Sequence, residues 1–594
     1  MLEDNILKKI LVKAKVITDK EFSKFKKQAD KKNLNLVDFL VAENIIAQET
    51  MYEVLAKHYK LPFIILKDEM EIKKEVLETI PEPIASTHQI VIFEKTASEL
   101  KVACLDPDDI ETFEFLKKKT DLDLKLYITT PESLNETLKK YHYGLEAELE
   151  KIIPNTQDER KKVLAKIKSG NGNKKNKTED LNELKQLAED LPIIKIVDTL
   201  LEYAIFEEAS DIHIEPQEKE VIVRYRVDGI LRDVMTLPKK SVAGIVARIK
   251  ILSNLKLDEH RLPQDGRFKI ETDQYKISFR VSIIPVFDGE KIVMRLLNES
   301  NKILELEDLG FQNESLKKIK ENINKPHGMI LVTGPTGSGK TTTLYTIMHM
   351  INKPWVNITT VEDPIEYRMP RINQSQVNPK IGYTFANGLR SFLRQDPNII
   401  MVGEIRDNET ADIAVNAAMT GHLVLSTLHT NDAATALPRL DDMKVEPFLI
   451  ASTTNIIIAQ RLVRKICKNC IMSYNLDKKT EKQIEEQFNI KEFKEVLYKQ
   501  GALKSNKDNF SSLLFYKGKG CKQCGNSGYK GRIGIYEVLE VSEEISKLIL
   551  KRAATEEINK KAKDEGMITM SQDGFLKAKQ GITSIEEIIR VTQE

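Results

Sequence analysis

The stretch Leu331-Val-Thr-Gly-Pro-Thr-Gly-Ser-Gly-Lys-Thr-Thr-Thr343 constrains this chain more than any other. The apolar run Met329-Ile-Leu-Val332 predicts a buried strand, and Leu344-Tyr-Thr-Ile-Met348 predicts a helix. Between them, Gly334-x-x-x-x-Gly339-Lys340-Thr341 has the pattern of a P-loop in the strand–loop–helix setting a P-loop requires. Gly334, Gly337 and Gly339 let the backbone wrap closely around phosphate oxygens, so that backbone N–H groups and the helix N-terminus face the anion. The predicted nucleotide cradle is Gly334, Pro335, Thr336, Gly337, Ser338, Gly339, Lys340, Thr341 and Thr342. Lys340 reaches the β/γ-phosphates of ATP, and Thr341 holds Mg²⁺.

Other strand ends of the same segment carry polar residues. Trp355-Val-Asn-Ile-Thr-Thr-Val361 reads as a strand ending at Glu362-Asp-Pro-Ile-Glu366. Acids at the carboxyl end of a strand, in a sheet that holds a triphosphate, sit where water or Mg²⁺ is bound. Arg390 to Asp396 reads as a helix. Asn398-Ile-Ile-Met-Val-Gly-Glu404 fits a Walker B strand with an acid at its end. Gly421-His-Leu-Val-Leu-Ser-Thr-Leu-His429 is an apolar strand with a histidine at each end; both are candidates for sensing the γ-phosphate, His422 ahead of His429.

The 594 residues allow several domains. Lys+Arg number 91 and Asp+Glu 90, and aromatic residues are 6%, so neither charge nor stacking side chains argue for nucleic acid. No uninterrupted apolar stretch reaches the roughly 18–20 residues of a membrane-spanning helix, and the first residues carry acids without a signal-peptide core. The expectation is a cytosolic protein that meets a membrane only through a partner. Five cysteines argue against a disulfide framework. Cys467-Lys-Asn-Cys470 and Cys521-Lys-Gln-Cys524 are two C-x-x-C pairs suited to tetrahedral Zn²⁺. The 50 residues between them exceed the usual ribbon interval of roughly 15–20. Cys104 reads as a core residue.

Residues 1–145 read as a small α+β domain that opens with a weak repeat: Leu11-Val-Lys-Ala-Lys-Val-Ile-Thr18 is echoed 29 residues later by Leu40-Val-Ala-Glu-Asn-Ile-Ile-Ala47. Each copy predicts two short helices. Leu61 to Leu66 predicts a strand, and 71–80 a helix stopped by Pro81 and Pro83. Strands follow over 91–93, 100–104 and 124–128, with helices over 112–119 and 131–141. Residues 146–182, which include Lys168-Ser-Gly-Asn-Gly-Asn-Lys-Lys-Asn-Lys177, predict a flexible linker. A second domain, 183–305, starts with a helix to Ile205. It continues with alternating strands at 210–216 and 221–227, an Asp228-Gly229 hairpin turn, a helix over 239–253 and strands over 274–297. Arg224 and Arg226 point to one strand face, either as solvated charges or as groups that reach a nucleotide held by a neighbouring domain or subunit. The ATPase core spans 306–460, the cysteine segment 461–535 and a helical tail 536–594.

These residues resemble the secretion-superfamily hexameric ATPases, in particular the type IV pilus extension ATPase and the type II secretion ATPase. The resemblance is carried by Ser210-Asp-Ile-His-Ile-Glu-Pro216, Arg226-Val-Asp-Gly229, Leu262-Pro-Gln-Asp-Gly-Arg267, the P-loop and Val361-Glu-Asp-Pro-Ile-Glu366. It continues through Leu393 to Arg406, Thr420 to Asn431 and Ala459-Gln-Arg-Leu-Val-Arg464. It implies a multidomain α/β fold: an MshEN-like α+β N-terminal domain, a PAS-like α+β domain, a RecA-like core, a zinc subdomain and a helical tail. It also implies a homohexamer that works on an inner-membrane platform protein. The long N-terminal domain and the cysteine module set this chain apart from retraction motors.

On that resemblance, Glu366 is the first candidate to orient or deprotonate the attacking water, and Glu404 organises Mg²⁺ and is the second candidate base. Arg224 and Arg226, or Arg267 and Arg280 in their place, act like arginine fingers. Pilus extension and type II secretion share these motifs. A DNA-translocating motor and a nucleotide-gated signalling protein remain as alternatives from other classes. The repeat also resembles tandem cyclic di-GMP motifs of roughly 28 residues, which open with Arg-Leu-Gly. Here the openings are Ile6-Leu-Lys8 and Asn35-Leu-Val37, and Lys15 and Asn44 stand at the later glycines. The apolar frame persists while the ligand-binding positions do not, so tight dinucleotide binding is not expected.

Overall fold

The protein is described from a computed structural model. It describes residues 4–138 (save 15, 32–35, 44, 67–69, 71, 78 and 81), 191–299 (save 272–275), 304–476, 484, 490–499 and 513–593. The predicted linker over 146–182, the start of the helix predicted to end at Ile205 (residues 184–190) and positions Lys15, Asn35 and Asn44 lie outside these. The chain forms two compact units, Met1–Asn298 and Glu299–Glu594. Among the described residues, no helix is long and apolar enough to cross a membrane.

The first unit begins with two helix pairs, Asp4–Lys13 with Asp19–Lys31, then Leu36–Ala42 with Gln48–Tyr59. The repeat supplies their shared core: Leu7, Leu11 and Ile17 from one copy, Leu36, Leu40 and Ile46 from the other, are all buried. Residues 61–66 do not form the predicted strand. Phe63 makes one parallel bridge to Ile128, flanked by Ile64 N–H donating to Ile128 and Ile128 N–H donating to Pro62. Pro62 has no N–H to extend the pairing on one side, and on the other the Leu66 N–H and carbonyl are bonded to Ser133 Oγ. The helix expected over 71–80 is shortened to Lys74–Leu77, and Pro83 lies in the first turn of the next helix, Glu82–His88. Proline is tolerated there because a first-turn N–H has no intrahelical partner.

Strands β1 (Ile90–Lys95), β2 (Glu99–Cys104) and β3 (Asp123–Ile128) form a sheet in that order, β1–β2 antiparallel and β2–β3 parallel, with helix Ile110–Thr120 between β2 and β3. Helix Leu191–Phe206 then leads into a six-stranded antiparallel sheet of order β6-β5-β4-β9-β8-β7. Its strands are β4 (Asp211–Pro216), β5 (Glu220–Val227), β6 (Ile230–Pro238), β7 (Gln264–Glu271), β8 (Lys276–Val286) and β9 (Gly289–Asn298). Asp228 and Gly229, with φ of 51° and 85°, make the two-residue turn between β5 and β6 that their sequence predicts. Strand β7 is not foreseen, because it lies at the sheet edge with neither face fully buried. One apolar cluster joins the β1–β3 region to the Leu191–Phe206 helix. His88 and Phe115 meet Phe206 edge-on, and Lys119 pairs with Glu202 at 2.5 Å.

The second unit is built on a seven-stranded sheet of order β12-β11-β13-β14-β10-β15-β18. Its members are β10 (Gly328–Thr333), β11 (Ile358–Glu362), β12 (Ile372–Gln376), β13 (Ile399–Val402), β14 (Leu423–Leu428), β15 (Thr454–Ile466) and β18 (Tyr529–Glu540). All neighbours are parallel except β15 and β18. Strands β10, β11, β13 and β14 are buried along their whole length, as strands covered by helices on both faces must be. Strand β11 begins three residues later than its apolar run suggests, and Trp355 is largely exposed. The predicted helix 390–396 is instead Phe385–Phe392, because its apolar face, Ala386, Leu389 and Phe392, ends there. A two-stranded sheet of β16 (Ile471–Asn475) and β17 (Leu514–Gly518) precedes β18. Four helices follow β18: Glu543–Leu550, Thr555–Asp564, Met570–Lys579 and Ile585–Gln593.

Glu537 fastens β18 to the loop after β14, accepting the N–H of Ala433 at 2.9 Å. Burial raises its carboxyl from the ordinary 4.5 to about 7, reinforced by nearby Asp432 and opposed by N–H donation and by Lys563. The folded protein therefore holds this proton more tightly than the unfolded chain does. Its stabilising contribution is complete below about 4.5 and is lost as pH rises through about 7. Glu537→Gln should remove that component: between these pH values its thermal midpoint should fall less than that of the native protein. Parallel pH dependences in a thermal-unfolding series would contradict this.

Candidate functional site

Parallel pairing gathers the carboxyl ends of β10, β11, β13 and β14 at one edge of the sheet. There β10 lies between β14 and β15, with the P-loop leaving its end. Gly334, Gly337 and Gly339 all have positive φ, at 145°, 82° and 88°. At Gly334 packing adds a second constraint, since a Cβ there would stand 2.4 Å from the Gln460 carbonyl oxygen of β15. No side chain fits that gap.

Gln460 is fully buried and closes the loop from the β15 side. Its amide Nε2 donates to the Ser338 carbonyl at 2.7 Å, and its Oε1 accepts from the Thr343 hydroxyl at 2.8 Å. Loop and first helical turn are thus bound to one side chain. It lies in the Ala459–Arg464 stretch, but an amide on a strand has no pattern that marks it as a loop clamp. On the other side of β10, Thr333 Oγ1 donates to the Leu428 carbonyl at 3.2 Å and accepts the Thr430 N–H at 2.8 Å. These contacts tie the P-loop strand to the loop that carries His429.

Lys340 begins the helix Lys340–Ile351, and its ammonium donates to the carbonyls of Gly334 at 2.7 Å and Pro335 at 3.1 Å. Burial lowers its pKa while the charge of Glu404 opposes that shift. Pro335, Thr336, Gly337 and Thr342 are exposed, Gly339 and Thr341 half-buried and Ser338 buried. The rim of the loop is therefore open and its base packed.

Glu404, just beyond β13, has both carboxylate oxygens engaged. Oε1 accepts from Arg406 at 2.7 Å, and Oε2 lies 3.2 Å from His429 Nε2. The structure thus joins Lys340, Glu404 and His429 at one edge. It does not place His422 there. His422 precedes β14 at the opposite end, level with the start of β10, roughly 20 Å away at ~3.3 Å per residue. Its ring nitrogen faces the Ala417 carbonyl at 3.0 Å. The order of the two histidines is therefore reversed from the sequence expectation, because only the carboxyl end of a parallel strand faces the P-loop.

Glu362 ends β11 and is buried. It accepts hydrogen bonds from Thr360 Oγ1 at 2.6 Å, from Gln374 Nε2 at 3.1 Å and from the hydroxyl of Tyr345. Burial raises its pKa against those bonds. Glu366, four residues on, is half-buried, with its N–H directed at the Tyr345 hydroxyl at 3.4 Å.

The arginines lie in the first unit and have partners there. Arg224 pairs with Glu215 at 2.8 Å, and Arg226 lies 3.5 Å from Asp211 while donating to the Gly229 carbonyl at 2.9 Å. Burial works against the Glu215 charge, but Arg224 and Lys291 outweigh it and hold the carboxyl down at about 2. Arg267 and Arg280 face each other in the β7–β8 register.

The four cysteines form a separate cluster in the second unit. Their sulfurs all lie within 4.8 Å of one another. Cys467 and Cys521 are 3.7 Å apart, Cys470 and Cys524 3.9 Å, Cys521 and Cys524 3.6 Å. Such spacings are far beyond a disulfide bond of ~2.05 Å. The N–H groups of Cys521 and Gly528 each point at Cys524 Sγ at 3.2 Å. Burial raises the Cys524 thiol, but these donors outweigh it and bring it down to about 7.

Comparison with known proteins agrees with this geometry. Residues 186–590 match the family described as type II/IV secretion system protein, and residues 59–148 match the MshEN domain. The chain is 38% identical to the type IV pilus assembly ATPase PilB of Myxococcus xanthus over 98% of both chains. It is 36% identical to the Pseudomonas aeruginosa protein of the same name over 99% of this chain and 98% of that one. It is also 42% identical to the type II secretion system ATPase E of Vibrio cholerae, over 76% of this chain and 86% of that one. A P-loop closed by Gln460, an acid and a histidine at adjoining strand ends, and these matches agree: the chain belongs to the type II/IV secretion system protein family and is an ATPase motor of that family.

Proposed function

We propose that this ATPase drives assembly of type IV pilin or pseudopilin fibres, with pilus extension favoured over type II secretion. The supporting observation is coverage: the pilus assembly relative from Myxococcus xanthus aligns over 98% of this chain, against 76% for the secretion relative from Vibrio cholerae. The working form is a homohexamer that acts from the cytoplasmic side on an inner-membrane platform protein. The domain reading is an MshEN-like region over 1–145, a linker over 146–182, a PAS-like domain over 183–305, a RecA-like core from 306, a zinc subdomain and a helical tail. The expected limits at 460 and 535 move, because β15 runs on to Ile466 and β18 to Glu540 in the core sheet, so the zinc subdomain lies between those strands and the helices begin at Glu543.

Hydrolysis in this reading is a direct transfer to water, with catalysis from positioning and charge. The P-loop N–H groups hold the phosphates. Lys340 exchanges the Gly334 and Pro335 carbonyls for β/γ-oxygens, and a lysine relieved of neutral partners gains most from that added negative charge. Thr341 and Glu404 are the residues suited to Mg²⁺, which would neutralise charge on the phosphates. Glu366 orients the attacking water. His429, on the Glu404 carboxylate, reports the γ-phosphate. Arg224 and Arg226 act as arginine fingers in the hexamer by leaving Glu215 and Asp211 for phosphate.

The cysteine cluster suits Zn²⁺. Four sulfurs at ~2.3 Å from a tetrahedral ion are ~3.8 Å apart, and the three short separations here run from 3.6 to 3.9 Å. The ion would staple the end of β15 to the turn before β18.

The N-terminal helix pairs serve in this reading as a docking module, not as a tight cyclic di-GMP receptor. Lys8 stands where the related motif has a glycine, and its ammonium pairs with Asp19 at 2.9 Å. A side chain there occupies the approach a ligand needs to the backbone.

Three measurements check this reading. Lys340→Ala and Glu404→Gln should each lower steady-state ATP turnover by about 10²-fold or more, the first also weakening nucleotide binding; native turnover in either would contradict the assigned roles. Freshly purified, reduced protein should contain about one zinc per chain by metal analysis, and Cys521→Ser should release it; metal-free native protein would overturn the site. Calorimetry on the full chain should detect no submicromolar binding of cyclic di-GMP, and such binding would refute the docking-only assignment.

A further inference from the structure

Tyr345 does something a core side chain need not do. It lies on the P-loop helix five residues after Lys340, it is 1% exposed, and its ring packs edge-on against Tyr367 at 4.6 Å. A phenylalanine would fill the same space. The hydroxyl instead donates to the Glu362 carboxylate and receives the Glu366 N–H at 3.4 Å. Gln374 Nε2 approaches the same oxygen at 3.3 Å and also reaches Glu362 Oε1 at 3.1 Å and the Tyr367 carbonyl at 3.1 Å. One buried oxygen therefore closes both ends of the five-residue segment 362–366, and Gln374 braces it from β12.

The electrostatics keep the tyrosine in its donor form. Burial and the neighbouring Glu362 push the Tyr345 phenol well above its ordinary range, so it stays an O–H donor. Glu362 is faced by Tyr345, Thr360, Gln374 and Glu366, and among the described residues no cation is hydrogen-bonded or ion-paired to it. An anchor of this kind is built from hydrogen bonds, not from an ion pair that nucleotide charge could disturb.

We infer that Tyr345 is a positioning residue for ATP hydrolysis: its hydroxyl fixes the segment that carries Glu366 to the helix that carries Lys340. This rests on the assignment of Glu366 to the attacking water. A helix is a stiff element, so phosphate held at its first turn and water held at the end of β11 then keep a constant separation. Constant separation of the reacting groups is what sustains a large share of an enzymatic rate.

The test uses the full-length protein, with Tyr345→Phe, Glu366→Gln and the double variant. Tyr345→Phe should lower kcat by about tenfold or more while KM for ATP stays within about twofold. Affinity for a non-hydrolysable ATP analogue should also be unchanged. In the Glu366→Gln background the same substitution should cause no further loss, because its effect passes through Glu366. Native kcat in Tyr345→Phe, with Glu366→Gln inactive, would overturn the role of Tyr345 alone. Loss of analogue affinity together with turnover would overturn it in favour of a general packing role. A further tenfold loss in the double variant would also overturn it. Native turnover in Glu366→Gln would overturn the reading of Glu366 and this inference with it.

Discussion

The 2.4 Å that would separate a Cβ at position 334 from the Gln460 carbonyl oxygen is the constraint on which the nucleotide site depends. Strand β10 must lie close to β15 for the two to pair, and the P-loop must turn away within one residue of the strand end. Only glycine satisfies both at φ of 145°. Gln460 then uses the same proximity, with one amide holding Ser338 and Thr343. The loop is shaped by its neighbour strand as much as by its own glycines.

That neighbour also connects the nucleotide site to the rest of the second unit. Strand β15 holds the P-loop near its middle and ends at Ile466, beside the first cysteine pair. It pairs with β18 over most of its length, and β18 carries Glu537, which holds the loop after β14. Arg464 of β15 pairs with Glu587 of the last helix at 2.5 Å. Hydrogen-bonded strands thus run from the phosphate-binding turn towards the cysteine cluster, and the Arg464–Glu587 ion pair joins them to the last helix.

Much of the second unit is legible from local signals. The P-loop, the acid ending β13 and the apolar runs of the sheet depend on neighbouring residues and on burial of both strand faces, which a sequence displays directly. The cysteine pairs are legible despite their wide separation, and the structure explains that interval. Strands β16 and β17 pair Ile471 with Gly518, which brings the residue after Cys470 beside the segment that leads into Cys521. His422 and His429 flank one strand symmetrically in sequence, and only strand direction distinguishes them; the rule that ligands sit at carboxyl ends is the available signal. Gln460 and Tyr345 leave no signal, because their bonds reach 122 and 21 residues along the chain. The edge strand β7 escapes a sequence reading because it lacks a fully buried face to impose alternation. The 61–66 segment reads as a strand because its residues are apolar, yet its pairing stops at the single bridge from Phe63 to Ile128.

The most direct test of this account is a high-resolution structure of the protein with Mg²⁺ and a non-hydrolysable ATP analogue. The Lys340 ammonium should then lie on β- or γ-phosphate oxygens instead of the Gly334 and Pro335 carbonyls, with the Gln460 amide still bonded to Ser338. Glu404 should stand beside the metal, and Glu366 should be directed at the γ-phosphate. A nucleotide seated away from the P-loop, or one on the loop while Lys340 keeps its carbonyl partners, would contradict the account.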